Sequence, residues 1–546
     1  MKIGIDLDNT IISYDRSFAT TGKKLGLIPD NWFGTKLEVK NYLKKNHNGE
    51  ADWQRLQGKV YGRFLYLSEL YPGIYRFLWR CKQKGFQVDI VSHKTELGHF
   101  DEEKISLRQA ALDFLLEKEI YKQNSSSFIN QIYFLSTKEE KIEKIKKENY
   151  SCFIDDLFDI LSDPNLSKIE RKFFFNPNLV LSEAGIGNIE NVSNWGEIEN
   201  SIFGKYSQDD LMNFTSEFKL SNFNKAIWCE GQGNSRIAYI ETSETKKYAL
   251  KIYPADSNHN RLQSEFNGFK LLQENSINNI PKPIQFNDKL NSAIYEWIDG
   301  EKIEQPSKLE IDAMLNLMKS LKTISKQEIE KGIKIQKASA ACLSCLDIEN
   351  QINNRLKLVY PATQYNQKLK IFLDKEIIPF KRFLVNWVKK NWESKESYYQ
   401  PIEHNLLVLS PSDFGSHNML RNQEQELFFL DFEYFGWDDP VKLVVDVSVH
   451  PAMNLDEDLK EYWKKGMFSI FGSSIKDRYN LTWAMYSLCW CFILLNEFRK
   501  DIWMRRVIAN SRKEDKHQEI LEQQLNKSKN LYEYVQNSFY KQIGKG

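Results

Sequence analysis

Between Lys2 and about Asn176, short apolar runs at residues 3–7, 88–92, 132–135, 152–154 and 173–175 alternate with longer amphipathic stretches. Runs of that length read as strands and the stretches between them as helices, so the pattern predicts a parallel sheet covered on both faces. In such a sheet ligands gather at the carboxyl ends of the strands. Two of the runs end in paired acids, Asp6 with Asp8 and Asp155 with Asp156. An ionised carboxylate in a core costs several kcal/mol unless a cation or a donor compensates it, so the acids point to a bound cation, Mg²⁺. The segment from Ile12 to about Leu70 carries aromatics but no strand signal and is expected to form a mostly helical insertion over the strand ends.

The texture then changes. A polar stretch around residues 191–208 reads as a junction, which places a first domain at 1–200, a linker at 201–217 and a second domain at 218–546. Strand-like alternation with a glycine turn fills roughly 225–297, and long helical periodicity dominates beyond Lys308. This is a small sheet lobe followed by a large helical lobe. At 546 residues the chain exceeds what one core serves.

Composition excludes several classes of function. Lys plus Arg number 75 against 74 for Asp plus Glu, so no general field attracts polyanions. Nucleic acid is not an expected partner, and no Gly-x-x-x-x-Gly-Lys-[Ser/Thr] loop occurs. That disfavours a nucleic-acid end-processing kinase and phosphatase. The longest apolar run, 481–495, falls short of the roughly 20 residues that cross a bilayer and reads as a buried helix. Two carboxylates within the first ten residues do not suit a leader peptide, so the expected location is the cytoplasm. Seven scattered cysteines make no disulfide framework, and the Cys342-x-x-Cys345 pair reads as core.

The N-terminal acids have a phosphoryl-transfer logic. A nucleophilic aspartate needs a cation beside the attacked phosphoryl group, and a carboxyl two residues on can protonate the leaving oxygen. The motif Asp6-Leu7-Asp8-Asn9-Thr10, the strand ending at Ser92 and the strand ending in Asp155-Asp156 resemble the haloacid dehalogenase superfamily. The resemblance implies Asp6 as nucleophile and Mg²⁺ ligand, Asp8 as general acid/base and a further metal-site residue, and Asp155 as the other principal ligand. Asp156 would be a ligand or its neighbour. Ser92 would hold a phosphoryl oxygen, and Lys141, with Lys138 as rival, would neutralise charge.

A second constellation lies toward the other end. Gly231 and Gly233 precede one strand, Lys251 sits on the next, and Glu265 follows in a helical pattern. A hairpin of glycines can lie over phosphates while a lysine on the adjoining strand reaches their oxygens. The apolar run 293–298, with Glu296 in it, enters Asp299-Gly300 and suits a hinge whose backbone meets adenine. Pro411-Ser412-Asp413 through Asn418, then a strand ending in Asp431-Phe432-Glu433, supply one proton acceptor and two oxygen ligands for Mg²⁺.

That order resembles the aminoglycoside phosphotransferase and choline kinase group, relatives of protein kinases. The resemblance implies an ATP-dependent kinase of a small hydroxyl-bearing acceptor, with Asp413 as base, Asn418 and Asp431 on the metal, and Lys251 with Glu265 positioning ATP. Glu433 would assist at metal or substrate. The family's usual His-Gly-Asp reads Pro411-Ser412-Asp413 here, so its loop-supporting histidine is missing. His417 reads as a loop-packing group rather than a ligand, the aromatic and acidic run 434–440 as core and turn rather than a cation cage, and Asp446 as a loop brace.

The expected architecture is therefore α/β: a Rossmann-like parallel-sheet domain with a helical cap insertion, followed by a two-lobed, protein-kinase-like α+β domain. The expected function is bifunctional, a Mg²⁺-dependent small-molecule phosphatase joined to an ATP-dependent hydroxyl kinase. By analogy, adding and removing phosphate suits building sugar or alcohol precursors of a surface polysaccharide. The alternative is a kinase-like half that binds nucleotide for regulation only.

Overall fold

The computed structural model describes residues 1–544 apart from 33, 46–47, 99–102, 178–186, 221–222, 231–234, 256–258, 333 and 509–511. The chain divides into two units, Met1–Tyr206 with Pro254–Ser257, and Ser207–Tyr253 with Asn258–Gly546.

The first unit is built on a six-stranded sheet. Its strands are β1 (Lys2–Ile5), β2 (Gln87–His93), β3 (Gln131–Leu135), β4 (Cys152–Asp155), β5 (Arg171–Phe175) and β6 (Ile189–Val192), in the spatial order β3-β2-β1-β4-β5-β6. All neighbouring pairs are parallel. The chain steps outward from β1 through β2 to β3, then returns to the other side of β1 for β4. The reversal between β1 and β4 opens a crevice at their carboxyl ends, which is where Asp6 and Asp155 stand. β1 and β4 pack tightly: a Cβ on Gly4 would lie 2.5 Å from the Phe153 ring.

The insertion between residues 12 and 70 is helical, Asp15–Lys24, Lys36–Leu43 and Gly49–Tyr61, closed at its neck by a two-residue ladder pairing Ile12 with Leu70. The helix Lys36–Leu43 starts at a capping box in which the Thr35 side chain accepts from Glu38 N–H.

The stretch around 191–208 is structured. It completes β6 and forms the helix Trp195–Phe203, whose Trp195 and Ile198 are fully buried. A buried ion cluster explains why so polar a segment folds into the core. Glu199 accepts from Arg76 at 2.9 and 3.0 Å, from Arg80 at 3.2 Å and from the Tyr206 hydroxyl at 3.1 Å. The Arg80 guanidinium lies 4.4 Å from the ring centres of both Phe203 and Tyr206. Burial raises the Glu199 carboxyl and the two guanidiniums more than offset it, so its pKa is lowered. The carboxylate therefore stabilises the fold above the ordinary glutamate range, and that contribution is lost as pH falls through the lowered value. Glu199→Gln leaves two buried cations facing a neutral amide and is expected to cost about 3–5 kcal/mol, measured by urea unfolding near pH 7. Residues 208–217 are likewise a helix, Gln208–Glu217, begun by a Ser207 capping box.

The second unit opens with that helix, Gln208–Glu217, and continues into a five-stranded antiparallel sheet made of β7 (Phe223–Trp228), β8 (Arg236–Thr242), β9 (Lys247–Ile252), β10 (Pro283–Asn287) and β11 (Ser292–Glu296), in the order β10-β11-β9-β8-β7. The helix Arg261–Glu274 lies between β9 and β10 in sequence. From Lys308 onward helices dominate, interrupted by short ladders: Val408–Ser410 with Gly436–Asp438, and Met419–Arg421 with Leu427–Phe429. Among the described residues one helical stretch, Ser473–Phe498, is long and apolar enough to cross a membrane by length and composition. Two-thirds of its apolar window is buried, as in a core helix. All seven cysteines are free, Cys342 and Cys345 among the buried ones.

Candidate functional sites

In the first unit the chain leaves β1 at Ile5 and turns sharply. Leu7 O receives both Ile11 and Ile12 N–H at 3.0 Å, and Asn9 takes a left-handed φ of 60°. The turn keeps Asp6 against β4, with its N–H on Ile154 O at 2.9 Å. Lys141, buried near the start of the helix Lys138–Glu148, donates to Asp6 Oδ1 at 2.6 Å and to Asp155 Oδ2 at 2.7 Å. Lys141 rather than Lys138 meets the acids. Oxygens of Asp6, Asp155 and Asp156 lie within 4.8 Å of one another, an all-oxygen set that fits a hard divalent cation such as Mg²⁺. The hydroxyls of Ser92 and Thr10 are buried without a hydrogen-bond partner.

The carboxyls divide electrostatically. Burial, then the neighbouring acids, hold Asp6 well above the usual range although Lys141 pulls it down. Burial and Asp155 likewise push Asp156 to about 7. Asp8 is lowered: burial raises it, but Lys94 and the Tyr14 hydroxyl prevail. Lys94 Nζ stands 2.8 and 3.0 Å from the Asp8 oxygens. From the insertion, Lys36 donates to Asn9 Oδ1 at 3.0 Å and to the Tyr61 hydroxyl at 2.9 Å. Sequence reasoning missed Lys94, Lys36 and Tyr14. Only the position of Lys94, two residues beyond Ser92 at the end of β2, offered a signal.

In the second unit β9 carries Lys251 with its Nζ 2.7 Å from Glu265 Oε2 and 2.5 Å from Asp431 Oδ1. Glu265 is also held by the Tyr253 hydroxyl at 2.7 Å and by Phe432 N–H at 3.1 Å. Burial pushes its carboxyl to about 7, against the pull of Lys251. Glu433 is clamped by Arg261, by the Ser235 hydroxyl at 2.7 Å and by Lys251 at 3.3 Å. Those cations and donors outweigh burial and bring it to about 2. Glu433 is thus a fixed anion beside Lys251 and Arg261, and Arg261 was not foreseen from the sequence.

Asp413 follows Ser412, which has a left-handed φ of 67°, and Asp431 has a φ of 62°. Strained backbone of this kind persists where the surrounding structure holds it. Asn418 Nδ2 donates to Asp413 O at 3.0 Å, and Leu430 N–H donates to Asn418 O at 2.8 Å. The loop holding Asn418 and the strand end holding Asp431 are therefore adjacent, and an amide oxygen with a carboxylate fits Mg²⁺ there. His417 Nε2 lies 3.2 Å from Asp413 Oδ1, with His450 Nε2 at 3.6 Å. Burial raises the Asp413 carboxyl, but these imidazoles bring its pKa below the usual value.

Two expectations meet the structure differently. Glu296 gives its N–H to Lys282 O at 2.9 Å and accepts Lys282 N–H on its carboxylate at 3.3 Å, so both groups are engaged within the sheet. Gly231 and Gly233 lie outside the described residues. The aromatic and acidic run serves the core: Phe435 and Trp437 are buried, and Asp439 caps the helix Pro440–Val449. Asp446 accepts from Lys442 and the Trp490 indole, both at 2.7 Å.

A strand lysine paired to a helix glutamate, a loop aspartate, and an amide and acid in sequence after it define a kinase-like phosphotransferase domain. Residues 230–458 match the phosphotransferase enzyme family, so the C-terminal part of the chain carries such a domain. Similar solved structures include the choline kinase LicA from Streptococcus pneumoniae, 11% identical, covering 59% of this chain and all of that one at a TM-score of 0.38. A Plasmodium vivax ethanolamine kinase is 15% identical over 58% of this chain and 92% of its own, TM-score 0.38. The aminoglycoside phosphotransferase APH(2'')-Ib with ADP is 14% identical over 60% and 99%, TM-score 0.38. No curated protein matches the chain.

Proposed function

We propose that the chain is a bifunctional enzyme: an ATP-dependent kinase of a small hydroxyl-bearing molecule in its second unit, and a phosphate-ester hydrolase of the haloacid dehalogenase type in its first. The observation that carries the kinase half is the linked set Lys251, Glu265 and Asp431 beside the Asp413–Asn418 loop. Lys251 would hold ATP phosphates with Glu265 fixing its direction, and Asp413 would take the acceptor's proton. Mg²⁺ would sit on Asn418 and Asp431 and neutralise phosphate charge.

The phosphatase half rests on Asp6, Asp155 and Lys141 meeting at the sheet's switch point, with Ser92 Oγ buried and unpartnered beside them. Asp6 would attack phosphorus and form an aspartyl phosphate, Ser92 and Lys141 would hold phosphoryl oxygens, and Asp8 would pass a proton to the leaving oxygen. Mg²⁺ on Asp6, Asp155 and Asp156 would supply charge neutralisation. A substrate phosphate would compete with Asp8 for Lys94, and losing that cation raises the Asp8 carboxyl toward a state able to donate a proton.

The test is a screen of the full chain with Mg-ATP against amino alcohols, sugars and aminoglycosides, and with Mg²⁺ against p-nitrophenyl phosphate and sugar phosphates. No ADP release with any acceptor ends the kinase reading, and no hydrolysis of any ester ends the phosphatase reading.

A further inference from the structure

The loop-supporting histidine that the sequence lacks at Pro411 has a counterpart in space. His417 lies in the 3₁₀ turn Ser416–Asn418, four residues past Asp413, and its Nε2 comes to 3.2 Å from Asp413 Oδ1. Its ring stacks on His450 with centroids 4.5 Å apart and planes at 12°. His450 is in turn backed edge-on by Trp490 at 4.6 Å, whose indole N–H is anchored on Asp446. On its other side the His417 ring occupies the place of a missing side chain. A Cβ on Gly415 would fall 2.5 Å from His417 Nδ1 and 2.6 Å from Cε1. Gly415 has φ −141° and ψ 164°, extended backbone open to any residue. Room for the imidazole is therefore the reason for glycine here.

Asp413, His417 and His450 also bring potential ligand atoms within 4.8 Å of one another. The hydrogen bonding speaks for a donor arrangement instead of an ion. Ala452 N–H donates to His450 Nδ1 at 3.0 Å, so the proton of the neutral ring sits on Nε2, the atom facing Asp413. A protonated nitrogen cannot ligate a metal.

We propose that His417 is a positioning residue for the proposed base. Its Nε2 faces Asp413 Oδ1 at 3.2 Å, a buried oxygen that no hydrogen bond holds among the described residues. A proton on Nε2 would steady that oxygen, while the ring is held flat between Gly415 and the His450–Trp490 stack and does from the C-terminal side of the loop what a histidine at 411 would do from the other. The inference rests on the kinase reading above. Fixing one carboxylate oxygen leaves the other aimed at the acceptor hydroxyl, and a misplacement of about 1 Å at such a group costs up to about 10²-fold in rate.

The test uses the full chain, Mg-ATP with water as acceptor, ADP release as the rate, and calorimetric AMP-PNP affinity as the binding readout. His417→Leu is expected to lower kcat about 10-fold or more with KM for ATP and AMP-PNP affinity within about 2-fold. His417→Gln, which keeps an N–H donor at that reach, should stay within about 3-fold of the parent protein. Gly415→Ala keeps the imidazole but displaces it, and should reproduce the leucine variant even if that variant folds poorly. The inference is overturned if His417→Leu or Gly415→Ala turns over like the parent, or if the glutamine and leucine variants fall equally and lose AMP-PNP affinity. A parent protein that releases no ADP with water is assayed with the amino alcohols, sugars and aminoglycosides of the screen above, and no ADP release with any of them overturns the kinase reading and this inference with it.

Discussion

Asp413→Asn lowers ATP-dependent turnover by at least about 10²-fold, the scale of a lost acid–base group, and leaves nucleotide binding intact. The amide keeps an oxygen where His417 Nε2 approaches and keeps the backbone carbonyl that Asn418 Nδ2 uses at 3.0 Å. The loop should hold its shape while the proton acceptor is gone. Lys251, Glu265 and Asp431 form their own network, so AMP-PNP affinity should change little. Steady-state rates of ADP release together with calorimetry check both halves. If the second unit instead binds nucleotide only for regulation, the substitution leaves every one of these quantities unchanged.

Asp6→Asn is expected to silence phosphate-ester hydrolysis by at least about 10³-fold, because an amide cannot form the covalent intermediate. It should spare ATP turnover, so the two substitutions assayed in parallel each remove one activity. Asp6→Asn also carries a stability signature. Burial and the neighbouring acids raise the Asp6 carboxyl in the folded chain. A group raised in this way favours folding below its unfolded pKa, and that advantage is lost as pH rises through the folded value. At neutral pH the parent therefore holds a strained cluster of acids, and the asparagine variant should melt at the same temperature or higher when no Mg²⁺ is added. Added Mg²⁺ should raise the parent's melting temperature more than the variant's. A clear loss of stability on Asp6→Asn without metal would contradict this account of the site.

Much of the fold was legible because strands buried on both faces advertise themselves. Residues 152–154 are an unbroken apolar run within β4, and Val88, Ile90 and Val91 make β2 apolar apart from Asp89 and Ser92. The helix Trp195–Phe203 was illegible for the opposite reason. Its Glu199 is buried by Arg76 and Arg80, more than a hundred positions earlier, and local pattern carries no information about such pairs. Lys94, Arg261 and His450 escaped notice likewise, since each matters through a carboxylate or ring distant in sequence.

The sequence by itself determined which residue types could do chemistry and the order of the elements bearing them: acids at strand ends, a lysine and glutamate ahead of a loop aspartate. These follow from local periodicity and from the valence of carboxylates and amines. Only the tertiary structure decided which charges meet, that Lys141 bridges Asp6 and Asp155, that Lys94 holds Asp8, and that His417 rests against Asp413. Electrostatic energy depends on separations of a few ångströms and on burial, and both are properties of packing.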